Sequence, residues 1–487
     1  MSVLDSLMRT AMQTASRYMP DAKRDPLIDS HSIIGQPLNR VDGRQKVTGA
    51  AHFAAEHLLP DLAYAEPVFS AITKGKVRKV DASEAEKAPG VITVITSKTM
   101  PRLKRPSLMD PSSPDKLAAS NLPILQDPSV SWNGQVIAVV VAETHEQAQE
   151  AAHLLLVEYE AEGPAVSFDA NKSSAQQPKD IMGEPPEIKI GDAEKNLAEA
   201  EVVVDATYRS PYYNHAAIEP HTTLAMWEGE DALLVFDSTQ AIAGYRGSLA
   251  HVFQLEPEKI RVVAPFVGGG FGGKAGFWWN TALCVAAAQI VKRPVKLVLS
   301  REGVFRIVGG RTAAEQRVAL GAKPDGHLTA LIHQGLTVTP SHARYAEQCS
   351  FPARHLYHAD SFHIEQRVIG LDIVPNTWMR APGESIGTFA MESALDELAA
   401  RLKMDPIELR QKIEPKRDVI KDAEFSSRHL LEAYERGAIR FNWVARNPQP
   451  RSRRDGSWLV GQGVATAYYP VMRMPGKARV RMYADGT

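Results

Sequence analysis

Residues 260–293 constrain this chain more than any other stretch. An apolar, partly β-branched run at 260–267 leads into five glycines within positions 268–273, broken only by Phe271 and followed by Lys274. A second apolar run covers 277–291. The pattern predicts a strand, a glycine loop and a buried helix. Glycine lacks Cβ, so such a loop can take backbone angles closed to other residues and let a ligand approach its N–H groups. Set at the positive end of a helix, those groups suit an oxyanion or a phosphate.

Several ligands compete for the loop. Gly268, Gly273 and Lys274 match most of a P-loop, but Ala275 stands where a magnesium-binding Ser or Thr is required. Gly268, Gly270 and Gly273 also fit a dinucleotide fingerprint, with Glu302 after the next strand as the ribose-binding acid. A tight glycine turn that holds no ligand is the plain structural alternative.

Composition narrows the field. Lys and Arg number 56 against 57 Asp and Glu, so no basic field points to nucleic acid and no acidic excess points to disorder. At 487 residues the chain can hold two to four domains. No apolar run reaches the ~18 residues that a membrane helix needs. The two cysteines, Cys284 and Cys349, are too few for an iron–sulfur cluster and offer no disulfide framework. The first residues carry no signal-peptide pattern; Leu4, Leu7, Met8, Ala11, Met12, Ala15 and Met19 instead form an amphipathic helical stripe. The compartment stays open between the cytoplasm and export alongside a signal-bearing partner.

Further along, residues 40–49 read as a turn-rich entry. Strands are expected at 91–96, 135–142 and 157–160, with a helix over 143–155. Residues 164–187, rich in Pro, Ser, Gln, Lys and Asp, mark a linker. A second domain begins near Lys189 with a strand at 201–209. His215, Glu219 and His221 raise a metal site, but Pro220 spoils the regular helix on which zinc motifs set their ligands. Hydrogen-bonding roles on a strand–turn compete with that reading. Strands follow at 232–236, 295–300, 315–320 and 328–338, the last two joined by a turn at Asp325 and Gly326. Helices are expected at 241–253 and 388–403, then one capped by Asp405 with Pro406 at its first position. Two final strands are expected at 458–469 and 478–483.

Four motifs in order resemble the molybdenum hydroxylases, the xanthine dehydrogenase and aldehyde oxidoreductase family. They are the 40–49 entry, Ser238-Thr239-Gln240, the glycine loop 268–274, and Trp378-Met379-Arg380-Ala381-Pro382-Gly383 with the helix that carries Glu392. The resemblance covers residues 35–487, and within the family it is greatest to bacterial aldehyde-oxidising members. It implies an α+β chain. A segment at 1–34 precedes a hammerhead α/β domain at 35–163, and a linker at 164–188 leads to a first molybdenum-cofactor-binding domain at 189–440. The start of a second occupies 441–487.

By the same resemblance, Gln240, Gly269, Gly270, Phe271, Gly272 and Arg380 bind a molybdopterin cytosine dinucleotide. The oxo anion and pyrophosphate of such a cofactor call for convergent donors rather than carboxylates. Iron–sulfur clusters and FAD are then expected on separate partner subunits. Ala275 and Pro382 replace the carboxylate and the aromatic ring that clamp purines in relatives, which favours aldehydes as substrates. Arg354 resembles a substrate-pocket arginine. The family's catalytic glutamate is expected beyond residue 487, so the sequence is expected to be a portion of a longer protein and inactive alone.

Overall fold

The computed structural model describes residues 36–108, 118–343, 345–425, 427–470 and 480–484. The expected N-terminal amphipathic helix lies outside them. In chain order the first strands are β1 (Ala63–Phe69), β2 (Gly75–Asp81), β3 (Val91–Thr96), β4 (Ser129–Val130), β5 (Val136–Ala142) and β6 (Leu156–Ala161). Then come β7 (Glu187–Ile190), β8 (Val202–Ser210), β9 (Thr222–Glu228), β10 (Ala232–Asp237), β11 (Ile260–Val263) and β12 (Val295–Val298). β13 (Ala314–Ala322), β14 (Leu328–Pro340) and β15 (Phe362–Leu371) complete the large sheets.

One seven-stranded sheet has the order β11-β10-β9-β12-β1-β5-β3. β5 is Val, Ile and Ala throughout and buried at every residue, as an unbroken apolar run in an inner strand should be. β1 joins β12 in parallel, pairing Ala63 with Val295, so this sheet takes strands from both sides of residues 164–188. The apolar helix Trp279–Val291 packs on β9 and β12, and its residues from Trp279 to Ala288 are all buried.

The second sheet runs β7-β15-β14-β13-β8. Its β13–β14 hairpin turns at Asp325 and Gly326, where Gly326 takes φ +92° and donates to Lys323 O. Ala193–Ala198, capped by Asp192, covers one face, and Glu384–Leu402 packs along β8 and β13. Met391, Ala394, Leu395 and Leu398 form the buried stripe of that long helix. Asp405 caps the next helix, Pro406–Lys412, accepting from the N–H groups of Ile407 and Glu408.

Several local expectations differ. Residues 43–47 form a short helix within the 40–49 entry. The long helix begins at Glu384 rather than 388, because Gly383 at φ +79° turns the chain directly into it. The expected linker at 164–188 is not among the differences, and it makes contacts with β15 and its exit: Gln176 exchanges two backbone hydrogen bonds with Val368, and Asp372 N–H donates to Ala165 O. Of the strand expected at 458–469, only Trp458–Leu459 forms, paired with Arg454–Asp455. Side chains hold the following segment in place of a partner strand. Thr466 N–H donates to the buried Glu392 carboxylate at 2.8 Å, and its hydroxyl meets Tyr357 and Tyr434. Residues 480–484 are not strand, and the rest of the last expected strand lies outside the described residues.

Candidate cofactor site

The neighbouring parallel strands β10 and β11 both deliver their C-terminal ends to one place. At the exit of β10, Asp237 is buried and accepts from the hydroxyls of Thr223 (2.7 Å) and Thr281 (3.0 Å); burial pushes its carboxyl up to about 7. Ser238 is tied to Thr222 by two hydrogen bonds. Thr239 Oγ1 and Gln240 N–H both donate to Lys274 O. Gln240 Oε1 then accepts from the N–H groups of Gly272 (3.0 Å) and Lys274 (3.3 Å). The Ser-Thr-Gln run is therefore fastened to the glycine loop, and the Gln240 amide nitrogen has no partner among the described residues.

Two glycines are required by close approach. A Cβ on Gly270 would meet Gln240 Oε1 at 2.2 Å, and one on Gly272 would meet Trp378 O at 2.4 Å. Between them Phe271 takes φ +51°, an uncommon conformation for an aromatic residue, and its ring is half-exposed. The N–H groups of Gly269, Gly270 and Phe271 have no partner among the described residues. Buried without a ligand, such donors would be costly; together with the Gln240 amide they form the kind of donor set that an anionic group wants.

The back of the loop is braced. Lys274 points inward: its fully buried ammonium lies 2.6 Å from Glu219 Oε2, which also accepts from Gly268 N–H at 2.7 Å. His221 Nε2 contacts Gly273 O at 3.1 Å, and His215 Nε2 contacts Trp378 O at 2.9 Å. Burial pushes the His221 imidazole down to about 3, so it stays neutral and Nε2 carries the donated proton. His215, Glu219 and His221 thus hold loop atoms, which is the hydrogen-bonding alternative to a metal site. Among the described residues, one cluster of metal-compatible geometry is Glu187, His363 and Glu365, on β7 and β15. Its carboxylates already pair with Lys189 (2.7 Å) and Arg367 (3.9 Å).

The phosphate-binding templates fail on the same geometry. Lys274 is occupied, and the helix begins only at Trp279, with residues 275–278 between it and the loop. Glu302, the candidate ribose acid, is exposed and paired with Arg306 at 2.7 Å.

The Arg380 loop closes on the glycine loop. Arg380 N–H donates to Phe271 O at 2.9 Å, and Thr377 N–H donates to Gly310 O at 3.1 Å. The Arg380 side chain is exposed, and its guanidinium has no partner among the described residues. Gln240, Gly269, Gly270, Phe271, Gly272 and Arg380 therefore stand together. Ala275 is adjacent and half-buried, its N–H donating to Gly272 O.

Among the described residues, no hydrogen bond, ion pair or ring contact joins Arg354 to them. It is 4% exposed in the turn Pro352–Arg354, donates to Pro185 O at 2.7 Å and stacks on Phe351. Burial pushes its guanidinium down to about 10. What the sequence reading missed is the bracing set. Glu219 and His221 stood out by their spacing, but spacing does not encode which loop they hold.

Comparison with known proteins agrees with this architecture. The family model for the aldehyde oxidase and xanthine dehydrogenase a/b hammerhead domain matches residues 48–163, and that for the molybdopterin cofactor-binding domain matches 174–413. The aldehyde oxidoreductase molybdenum-binding subunit PaoC of Escherichia coli (strain K12) is 36% identical over 468 residues, covering 94% of this chain and 61% of its own length. The nicotinate dehydrogenase large molybdopterin subunit of Eubacterium barkeri is 27% identical, covering 78% of this chain and 89% of its own. Among solved structures, the aldehyde oxidoreductase of Desulfovibrio gigas superposes with a TM-score of 0.70 at 24% identity, over 84% of this chain and 47% of that one. The quinoline 2-oxidoreductase of Pseudomonas putida 86 gives 0.73 at 19%, over 84% and 54%. The chain thus spans about three-fifths of the PaoC length. By its hammerhead and cofactor-binding domains, it belongs to the molybdenum-binding subunits of the aldehyde oxidase and xanthine dehydrogenase family.

Proposed function

We propose that this chain is the molybdenum-binding part of a hydroxylase that oxidises aldehydes to carboxylic acids, and that it carries a molybdopterin cytosine dinucleotide. The observation that carries the reading is the set of donors without a partner among the described residues on segments that adjoin: the N–H groups of Gly269, Gly270 and Phe271, the Gln240 amide and the Arg380 guanidinium. When bound, the cofactor supplies the metal that transfers oxygen and accepts electrons. The chain's own residues do the holding. The rigid loop offers backbone N–H groups to the anionic ligand oxygens, and the Gln240 amide donates beside them. The Arg380 guanidinium adds a charge-assisted donor.

Ala275 and Pro382 remove a carboxylate and an aromatic ring that would favour a purine, which supports an aldehyde. The PaoC relative, an aldehyde oxidoreductase subunit by name, supports the same class. Arg354 is proposed as a substrate-side residue on the resemblance alone. Cys284 and Cys349 are both buried, in different cores, and cannot ligate a cluster. That supports iron–sulfur clusters held outside these residues; their place, and that of FAD, on partner subunits is proposed on the resemblance alone. The divisions at 35–163, 164–188, 189–440 and 441–487 belong to the same proposal.

The test is elemental and nucleotide analysis of the chain purified from a host that makes the cofactor. Bound molybdenum, with cytidine monophosphate released on acid hydrolysis, is expected. A chain with neither metal nor pterin contradicts the reading.

A further inference from the structure

We infer that Arg311 and Glu347 form a buried positioning pair that sets the backbone of the Arg380 loop against the glycine loop. The inference rests on the proposed role of Arg380 as a donor to an anionic cofactor, and adds what fixes it there. Arg311 is 6% exposed and Glu347 fully buried, with Arg311 Nε 3.0 Å from Glu347 Oε1. Neither belongs to a motif, and among the described residues no hydrogen bond or ion pair joins either to the glycine loop.

What the pair does is read from its remaining bonds. Arg311 Nη2 donates to three successive carbonyls, Met379 O (2.7 Å), Arg380 O (2.5 Å) and Ala381 O (3.2 Å). Glu347 Oε1 accepts from Gly383 N–H at 2.9 Å, and Oε2 accepts from Thr312 N–H at 3.2 Å. One ion pair thus satisfies four backbone groups within residues 379–383. That stretch needs support, because Ala381 takes φ +55° and Gly383 φ +79° within three residues. Gly383 is also the N-cap of Glu384–Leu402 and has no side chain to cap it. Glu347 accepts from the N–H of that N-cap residue, the bond that the carboxylate of a capping box makes.

The other end of Arg311 reaches the braces of the glycine loop. Its backbone exchanges two hydrogen bonds with Tyr213, two residues before His215, and His215 holds Trp378 O. Arg311 therefore ties the strand–turn behind the glycine loop to the loop in front of it. A buried ion pair is poor evidence of stability, since apolar residues of similar volume often replace one without loss. Apolar residues could not hold three carbonyls and an N–H at once. The guanidinium of Arg380 is left free while its backbone is fixed, which is the arrangement that preorganised ligand recognition requires.

Trypsin reports on the clamp without any need for the cofactor. Arg380 is followed by Ala381, so the bond between them is cleavable once the loop is released. Under native conditions Arg311→Met is expected to raise the initial cleavage rate at Arg380 about tenfold or more, since local opening governs such cleavage. Exposed Arg454 serves as the internal control and should be cut at an unchanged rate. Arg311→Lys, which keeps the charge but loses the fork, should fall between wild type and Arg311→Met. Glu347→Gln should also accelerate cleavage at Arg380. Wild-type cleavage at Arg380 in folded Arg311→Met and Glu347→Gln overturns the inference, as does equal acceleration at every site. Molybdenum content measured on the same samples keeps the two ideas apart. A metal-free wild type contradicts the proposed function while selective cleavage still upholds the clamp; unchanged cleavage in a metal-loaded variant contradicts the clamp alone.

Discussion

The ammonium of Lys274 lies 2.6 Å from Glu219 Oε2, with no exposed surface on the lysine side chain. A lysine at the end of a glycine-rich loop invites a phosphate-binding role, yet here its charge is spent inside the protein. Glu219 shares that oxygen with Gly268 N–H, so one carboxylate fixes both ends of the loop. The loop is thereby a rigid wall whose ligand-facing donors come from the backbone.

Removal of Glu219 tests this bracing. Glu219→Ala leaves Lys274 buried without a partner and should cost about 3–5 kcal/mol of stability. Glu219→Gln keeps an acceptor for Gly268 N–H and should cost less. Urea unfolding of the cofactor-free chain measures both; a loss below about 1 kcal/mol for Glu219→Ala contradicts the account.

His221 predicts a pH dependence with a definite sign. Its imidazole titrates near 6.5 when unfolded and near 3 in the fold, because burial disfavours the cation. Between those values the unfolded chain binds more protons. Its contribution is therefore complete above pH 6.5 and lost as the pH falls toward 3, by about 1.4 kcal/mol per pH unit. His333 and His342, each pushed to about 4 by burial, add slopes of the same sign. His221→Gln retains an N–H donor for Gly273 O and should flatten the fall by about one proton's worth. An unchanged slope between pH 6 and 4.5 would show that His221 is not the neutral donor described.

Arg410 has no exposed surface, lies 2.8 Å from Glu392 and 2.9 Å from Asp396, and is the counter-charge of the carboxylate that holds Thr466. Arg410→Ala should cost about 3–5 kcal/mol and free the segment around Thr466. Hydrogen exchange should show the amide of Thr466 losing protection before those of β13 and β14. Equal protection in variant and wild type would contradict this coupling.

How far the sequence was legible depended on whether the signal was local. β5 declares itself because seven successive apolar residues suit an inner strand, and the hairpin at Gly326 because its turn chemistry is short-range. The cap at Asp405 is likewise contained in four residues. The positions of Gln240, the glycine loop and Arg380 were reached through motif order. Periodicity alone located the helix after the loop but not the four residues that separate the two. Arg311 and Glu347 are 36 positions apart and carry no pattern, so only the fold reveals them. The segment after Trp458 misled because its residues suit a strand, whereas buried Glu392 and the hydroxyls of Tyr357 and Tyr434 hold it.

The central claim is that the wall made by Gln240 and the glycine loop is a cofactor cradle. A Cβ at Gly270 would fall 2.2 Å from Gln240 Oε1 and displace that side chain, whereas Gly437 has open space around it. The deciding measurement is the molybdenum-to-protein ratio of purified wild type, Gly270→Ala and the control Gly437→Ala. The account predicts metal in wild type and control and a ratio lower by about tenfold in Gly270→Ala, each tenfold being about 1.4 kcal/mol of binding. A Gly270→Ala chain that folds and retains the wild-type ratio would contradict it.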